Sequence, residues 1–213
     1  MQIAKGTKHW IFIPLLLSII LSIFSFFFEN ITVISIFFIS AVLMFIISIL
    51  LSVFFRDPDR NIGEGIVAVA DGKIKEITKI KDKDVGNCIC IYTFMNVNNV
   101  HVNRMPVDGI IKDIKHISGS HLPAFKKESE KNERVITIID TKIGKIKIIQ
   151  IAGTLARRIV PYIKKGDKLK KGDKIGIIRL GSRVDVYLPI KKVSVKVGNR
   201  IKAGEDSLAK INT

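Results

Sequence analysis

The sequence predicts a mainly β domain preceded by an N-terminal α-helical hairpin. Two long uncharged segments stand near the N-terminus of the 213-residue chain, and short β-rich runs separated by Gly, Asp, Asn and Pro fill most of the remainder. We therefore expect a hairpin over residues 1–55 and a β-rich domain with few short helices over residues 56–213. The short helices are expected within 124–135 and 152–163.

The hairpin is predicted by the uncharged runs 10–28 and 31–55. Each run is near or above the roughly 20 apolar residues that span a bilayer core, and a second run directly after the first is unlike a cleaved signal peptide. Basic residues flank the outer ends: Lys5, Lys8, Arg56 and Arg60. The positive-inside rule then places both termini and the β-rich domain on the cytoplasmic side of the cell (inner) membrane. A shallow re-entrant hairpin and a buried soluble hairpin are the alternatives.

The net charge of +16 comes almost entirely from the Lys-rich chain that follows the two uncharged runs. Such an excess suits anionic lipid headgroups or nucleic acid. The lysines lack the interleaved aromatic residues or groove-reading helix of a nucleic-acid binder, so we expect a lipid partner and no nucleic acid. Taken singly, most of these lysines are typical of solvated faces.

The two cysteines, Cys88 and Cys90, are spaced to share one face of a strand. That spacing is poor geometry for a disulfide between them, and no second pair or nearby His completes a zinc set. The sequence therefore predicts reduced, structural thiols and no metal.

An internal similarity relates residues 164–178 to 196–211, with Gly166 over Gly198 and Gly172 over Gly204. Paired turns that bracket short strands suggest a barrel-sandwich resembling lipoyl or biotinyl carrier domains. A membrane-anchored domain of that kind could be a non-catalytic adaptor or interaction protein. The chain lacks the long heptad segment of such adaptors and a Met-Lys pair at the turn of the repeat.

Ser182 follows Gly181 at the start of a predicted strand and shares parity with Val184, Val186 and Leu188. A regular strand would point this hydroxyl inward, and a buried hydroxyl needs a reason. Glycine gives the backbone freedom for Oγ to approach the Gly181 carbonyl, form an ester and, after β-elimination and hydrolysis, leave an N-terminal pyruvoyl group. A Gly-Ser pair at a strand entry is more often only a turn.

Several separated motifs occur in one order along the chain: "FFRDP", "AVADG", "FMNVNNVHVNRMPVDG", "KNERV" and "LGSRVDVYLP". Together they resemble the phosphatidylserine decarboxylase proenzymes of the short prokaryotic type. The resemblance implies cleavage between Gly181 and Ser182 into a β chain of 1–181 and an α chain of 182–213, which stay together as a heterodimer; further oligomerisation is left open. It also implies a pyruvoyl cofactor made from Ser182, with no metal and no pyridoxal phosphate. This group would form a Schiff base with membrane phosphatidylserine, or with the archaeal ether analogue, and support its decarboxylation.

The resemblance assigns catalytic roles to Asp71, as the acidic member of a processing triad, and to His101. Asp-Gly between alternating hydrophobic residues is also a strong hairpin signal. Arg104 stands where longer relatives carry a second histidine, the usual processing base. An arginine cannot act as that base. Either His101 would serve both self-processing and protonation of the carbanion, or processing would rely on strain and Asp71. Arg104 could instead hold a substrate phosphate or carboxylate.

Other polar residues near these motifs have weaker assignments. His116 and His121 match no motif and are expected in loops, which makes them poor substitutes for the missing histidine. Asn132, Glu133 and Arg134 belong to a matching block without a derivable role, although Arg134 could contact a headgroup phosphate.

Overall fold

A computed structural model describes residues 2–120, 131–153, 158–179 and 182–211. The chain forms two compact units, Met1–Asp59 and Arg60–Thr213. The first unit extends past the expected boundary at residue 55 because the short strand β1 (Gln2–Ile3) pairs with another short strand, Arg56–Asp57, after the second helix.

The first unit is a helical hairpin of α1 (Lys8–Ser25) and α2 (Ile31–Phe54), followed by β2 (Arg56–Asp57). The Asn30 side chain caps α2 by accepting a hydrogen bond from the backbone N–H of Thr32 at 2.9 Å. The Ser18 hydroxyl joins the helices by donating to the Ala41 carbonyl at 2.8 Å. With 18 and 24 residues, the helices are long and apolar enough to cross a membrane. The predicted hairpin is confirmed.

The regular secondary structure of the second unit consists of strands over most of its described residues, which confirms the mainly β prediction. These are β3 (Ile66–Val67), β4 (Gly72–Asp82), β5 (Gly86–Met95), β6 (Val102–Arg104), β7 (Gly109–Ile117), β8 (Arg134–Thr141), β9 (Gly144–Ala152), β10 (Ile159–Pro161), β11 (Lys168–Leu169), β12 (Lys174–Ile178), β13 (Ser182–Leu188), β14 (Arg200–Ile201) and β15 (Ser207–Ala209).

An eight-stranded curled sheet in the order β11-β7-β8-β9-β13-β5-β4-β14 forms the main layer. A three-stranded sheet, β10-β12-β6, and the pair β15-β3 accompany it. The central strand β13 pairs with β5 on one side and β9 on the other. Its alternate residues Ser182, Val184, Val186 and Leu188 are all buried, as their parity predicts.

The internal similarity predicted from the sequence corresponds to repeated turns. In the first copy the Lys164 N–H donates to the Asp167 carboxylate at 2.9 Å, and in the second the Lys196 N–H donates to the Asn199 side-chain oxygen at 2.8 Å. Each turn leads into a two-residue strand, β11 or β14, on opposite edges of the main sheet. The finer likeness to lipoyl domains stays a prediction.

The helices expected at 124–135 and 152–163 are wrong where the structure describes those residues. Arg134 begins β8, Ala152 ends β9 and Ile159–Pro161 forms β10. Backbone pairing with neighbouring strands outweighs helix propensity here. Residues 124–130 and 154–157 lie outside the described part of the chain.

Candidate active site

Ser182 is the first residue of β13 and lies between Met95 of β5 and Ala152 of β9. Its side chain is fully buried, and Oγ donates to the Met95 Sδ at 3.2 Å. A thioether is a weak acceptor, so this hydrogen bond orients the hydroxyl and leaves it able to act as a nucleophile. Gly181, the other residue of the predicted cleavage site, lies outside the described residues.

A buried polar cluster connects the two sheets beside this serine. Asn103 of β6 directs its Nδ2 towards the Met95 Sδ at 3.9 Å and accepts at Oδ1 from the Gln150 Nε2 at 2.7 Å. Asn103 and Gln150 are almost completely buried. Sequence reasoning missed both, although Gln150 interrupts the inward-facing series Ile146, Ile148 and Ala152.

His101 precedes β6 and is fully buried. Its Nδ1 lies 2.8 Å from the Asn99 carbonyl oxygen. A carbonyl only accepts, so Nδ1 carries the proton and Nε2 is the basic nitrogen of the neutral ring. The His101 carbonyl accepts from the Ile178 N–H at 3.3 Å, which ties this residue to the strand that leads towards Ser182.

Arg104 points away from the face that Asn103 presents to Met95, because successive residues of a strand alternate. Its guanidinium donates from Nη1 to the Gly172 carbonyl at 3.1 Å, and the residue is only 6% exposed. The structure therefore does not bring Arg104 to the position of a processing base. A contact with substrate phosphate stays a prediction.

Asp71 lies in the turn before β4, and its carboxylate is held on two sides. It accepts from the Arg60 Nη2 at 3.0 Å and from the Ala203 N–H at 2.8 Å. Arg60 also pairs with Glu205 at 3.3 Å. β3 pairs with β15 rather than with β4, so Asp71-Gly72 does not form a β3–β4 hairpin.

Asp108 repeats this arrangement, which sequence reasoning missed. Residues 68–77, "AVADGKIKEI", align with residues 105–114, "MPVDGIIKDI", and place Asp108 over Asp71. The Asp108 Oδ1 accepts from the Lys171 N–H at 2.7 Å, and Lys171 corresponds to Ala203 in the other internal repeat. One part of the environment of Asp71 is thus a duplicated turn, to which the ion pair with Arg60 is added.

The block 131–135 lies against β9, the strand that pairs with the serine strand β13. The Asn132 Nδ2 donates to the Ala152 carbonyl at 2.7 Å, and Ala152 is the register partner of Ser182. The Glu133 Oε1 lies 2.8 Å from the His116 Nε2. Arg134 donates from Nη1 to the Asn132 carbonyl at 3.4 Å. His116 belongs to β7, so its assignment to a loop is wrong, while His121 lies outside the described residues.

Cys88 and Cys90 are free, buried thiols. Burial, followed by the charge of nearby Asp185, raises the pKa of Cys90 to about 12, so this thiol stays protonated and unreactive at neutral pH. Within the described ranges, no group of three or more metal-ligating side chains comes together.

Comparison with known proteins defines the class of this chain. The model of the phosphatidylserine decarboxylase family matches residues 47–209. A phosphatidylserine decarboxylase proenzyme of Streptomyces avermitilis is 50% identical over 153 residues, 71% of this chain and 69% of the relative. A protein of Methanosarcina barkeri, named as an archaetidylserine decarboxylase proenzyme, is 38% identical over 214 residues and 99% of both chains.

The chain therefore belongs to the phosphatidylserine decarboxylase family, an assignment that confirms the resemblance seen in the motifs. A protein of Methanococcoides burtonii, also named as an archaetidylserine decarboxylase proenzyme, is 48% identical over 74% of this chain and 73% of its own length. The alternative of a non-catalytic adaptor receives no support from these matches.

Proposed function

We propose that this protein decarboxylates phosphatidylserine, or the corresponding archaeal ether lipid, after cutting its own backbone between Gly181 and Ser182. The observation that carries this proposal is the fully buried Ser182 hydroxyl on the central strand, with Met95 as its hydrogen-bond acceptor. The names of the family and of the relatives supply the substrate class.

Self-processing would begin when the Ser182 Oγ attacks the Gly181 carbonyl carbon. The C–N bond breaks, the hydroxyl proton passes to a base, the amine nitrogen takes up a proton, and an ester replaces the amide. Loss of the α-proton of residue 182 then expels the Gly181 carboxylate by cleavage of the Cβ–Oγ bond. Addition of water to the resulting dehydroalanine releases ammonia and leaves a ketone at the new N-terminus.

The surroundings of Ser182 fit such a ketone. Its neighbours along the register are Met95 and Ala152, whose apolar side chains suit a methyl group in place of the serine Cβ and hydroxyl. When formed, a pyruvoyl group supplies an electrophile for the amine of the lipid and withdraws electrons from the bond that loses carbon dioxide. No metal ion and no pyridoxal phosphate enters the proposal.

His101 is the proposed proton donor to the substrate carbon after carbon dioxide leaves. Its Nδ1–H is fixed on the Asn99 carbonyl, so a proton is taken up and released at Nε2. Asp71 is retained as the acidic residue of processing, and contacts of Arg104 and Arg134 with the headgroup remain part of the proposal.

The product would be a heterodimer of residues 1–181 and 182–213 held at the membrane. The apolar helices α1 and α2 support membrane association. Lysine-rich surroundings would attract the anionic substrate, and loss of its carboxylate leaves a lipid with no net charge and a weaker attraction to the protein.

Intact-mass measurement of the purified protein tests the proposal. The wild-type chain should give two fragments divided before Ser182, the smaller one lighter by one ammonia than simple hydrolysis predicts. Ser182→Ala should give a single chain and lose lipid decarboxylation, whereas the exposed Ser194→Ala should behave as wild type. A wild-type preparation that decarboxylates lipid as one unbroken chain would refute the proposal.

A further inference from the structure

Glu133 lies on the same face and in the same cross-strand row as Ser182. Arg134 of β8 pairs with Ile151 of β9, and the Ala152 N–H donates to the Glu133 carbonyl at 3.0 Å, so Glu133 stands across from Ala152. Ala152 pairs in turn with Ser182. Two strand spacings amount to about 10 Å, and only an alanine methyl lies between the two side chains in this row.

The Glu133 carboxylate is directed between the two sheets. Its side chain is 12% exposed, and Oε1 accepts from the Ile159 N–H of β10 at 3.2 Å. Ile159 pairs with Ile178, whose N–H donates to the His101 carbonyl. Ser182, Glu133 and His101 therefore occupy the same end of the domain, with the glutamate bound to both layers.

His116 connects this carboxylate to the surface. Its Nε2 lies 2.8 Å from the Glu133 Oε1, and its side chain is 47% exposed. The carboxylate accepts, so Nε2 carries the proton in this pair. His116 therefore holds the Glu133 carboxylate in place by donating to Oε1.

Two other candidates for a processing base, Arg104 and Asp71, are less well placed. Arg104 is bound to the Gly172 carbonyl on the opposite side of β6 and cannot accept a proton. The Asp71 carboxylate is occupied by the Arg60 guanidinium and the Ala203 N–H.

We propose that Glu133 is the general base of self-processing and takes the place of the second histidine of longer relatives. This inference rests on the proposed cleavage at Gly181-Ser182. As Oγ bonds to the Gly181 carbonyl carbon, the hydroxyl proton passes through bridging water to the Glu133 carboxylate, and the same proton is returned to the amine nitrogen when the C–N bond breaks. His116 is a positioning residue that orients Glu133.

Glu133→Gln tests this assignment, because the amide oxygen can still accept from the Ile159 N–H while the basicity is lost. Precursor should be synthesised in a cell-free system with anionic phospholipid vesicles and its cleavage followed by intact mass over time. We expect Glu133→Gln to slow cleavage by about 10²-fold, the lower range for loss of a general base. Glu133→Asp should recover part of the rate, and His116→Gln should slow cleavage less than Glu133→Gln.

The matched control is Glu76→Gln, which neutralises an exposed glutamate on β4 and should leave the rate unchanged. Thermal unfolding of each precursor should show the same midpoint as Ser182→Ala, which separates a chemical defect from misfolding. Wild-type cleavage together with equally fast cleavage of Glu133→Gln would overturn this inference alone. Absence of cleavage at residue 182 in the wild type would instead overturn the proposed function.

Hydroxylamine identifies the step, since it splits an accumulated ester and leaves an ordinary peptide bond intact. Glu133→Gln precursor should resist hydroxylamine, because the ester does not form. Rapid splitting before residue 182 would show that the ester forms without Glu133 and would overturn the assigned role.

Discussion

At the scale of single residues, the site is a set of buried polar groups with defined partners. Ser182 contacts a thioether, His101 is held in one tautomer, and Asn103 and Gln150 satisfy one another. Buried groups of this kind are costly unless they are hydrogen-bonded, so their concentration at one end of the domain favours a chemical role. Asp71 has both a structural and a proposed chemical role.

The pair Asp71 and Asp108 allows these roles to be separated. Both carboxylates accept a backbone N–H in corresponding turns, and asparagine can retain that bond. If charge at Asp71 serves processing, Asp71→Asn should slow self-cleavage by at least about tenfold while Asp108→Asn does not. The rates of fragment formation of the two variants, measured side by side, separate the roles. Equal slowing in both variants would show that Asp71 has only a structural role in its turn.

The sequence predicted the inward direction of the Ser182 side chain, because side chains alternate between the two faces along a regular central strand. Glu133 and His116 had no such signal. A glutamate in a charged stretch is typical of a solvated face, and the contact between His116 and Glu133 depends on the β7–β8 register. The role of Arg104 could not be predicted either, since its direction follows from the contact of Asn103 with Met95.

At the scale of strands, a charged cluster joins β9 and β13 to the turn between β4 and β5. Lys147 of β9 is 6% exposed, forms ion pairs with Asp82 and with Asp84, the latter at 3.2 Å, and lies 4.6 Å from the centre of the Tyr187 ring. Burial alone would raise the pKa of Asp82. The hydrogen bond from Lys147, the backbone N–H groups of the turn and the charge of Lys147 outweigh burial and hold the pKa below its usual value.

Lys147→Met should therefore destabilise the domain near neutral pH. The buried carboxylate would lose its partner, and we expect a loss of about 2–3 kcal/mol, less than the cost for a wholly buried pair. Because the folded-state pKa of Asp82 is lowered, its contribution is present above the unfolded value of about 3.8 and is lost as pH falls through the lower folded value. Denaturant unfolding at pH 7 and pH 3 measures both effects.

Lys145→Met is the control, because Lys145 is exposed on the same strand. It should change the free energy of unfolding by less than about 0.5 kcal/mol. A Lys147→Met variant as stable as the control at pH 7 would show that the cluster contributes nothing.

At the scale of the whole chain, a helical hairpin is joined to a β domain, and the two parts differ in how readily they are predicted. The hairpin is predictable from uncharged length alone. The β domain is predictable as a class, but its strand order places β13 between β5 and β9, partners distant in sequence. Turn residues and alternation carry no information on such distant pairing.

The expected topology places both termini in the cytoplasm and the turn at Glu29-Asn30 outside. In a Cys88→Ala, Cys90→Ala background, Glu29→Cys should react with a membrane-impermeant maleimide in intact cells. Lys5→Cys should react only after permeabilisation. Protection of Glu29→Cys in intact cells would contradict a spanning hairpin and favour a re-entrant one.

The complete burial of Ser182 has a consequence for the life of the protein. Under the proposed function, a newly made chain offers no reactive carbonyl to the amines of the cell, because its precursor is an ordinary alcohol that the fold encloses. Folding would then precede activation, and misfolded copies would not acquire a reactive centre. The supply of working enzyme would then depend on the rate at which each molecule matures as well as on the rate of synthesis.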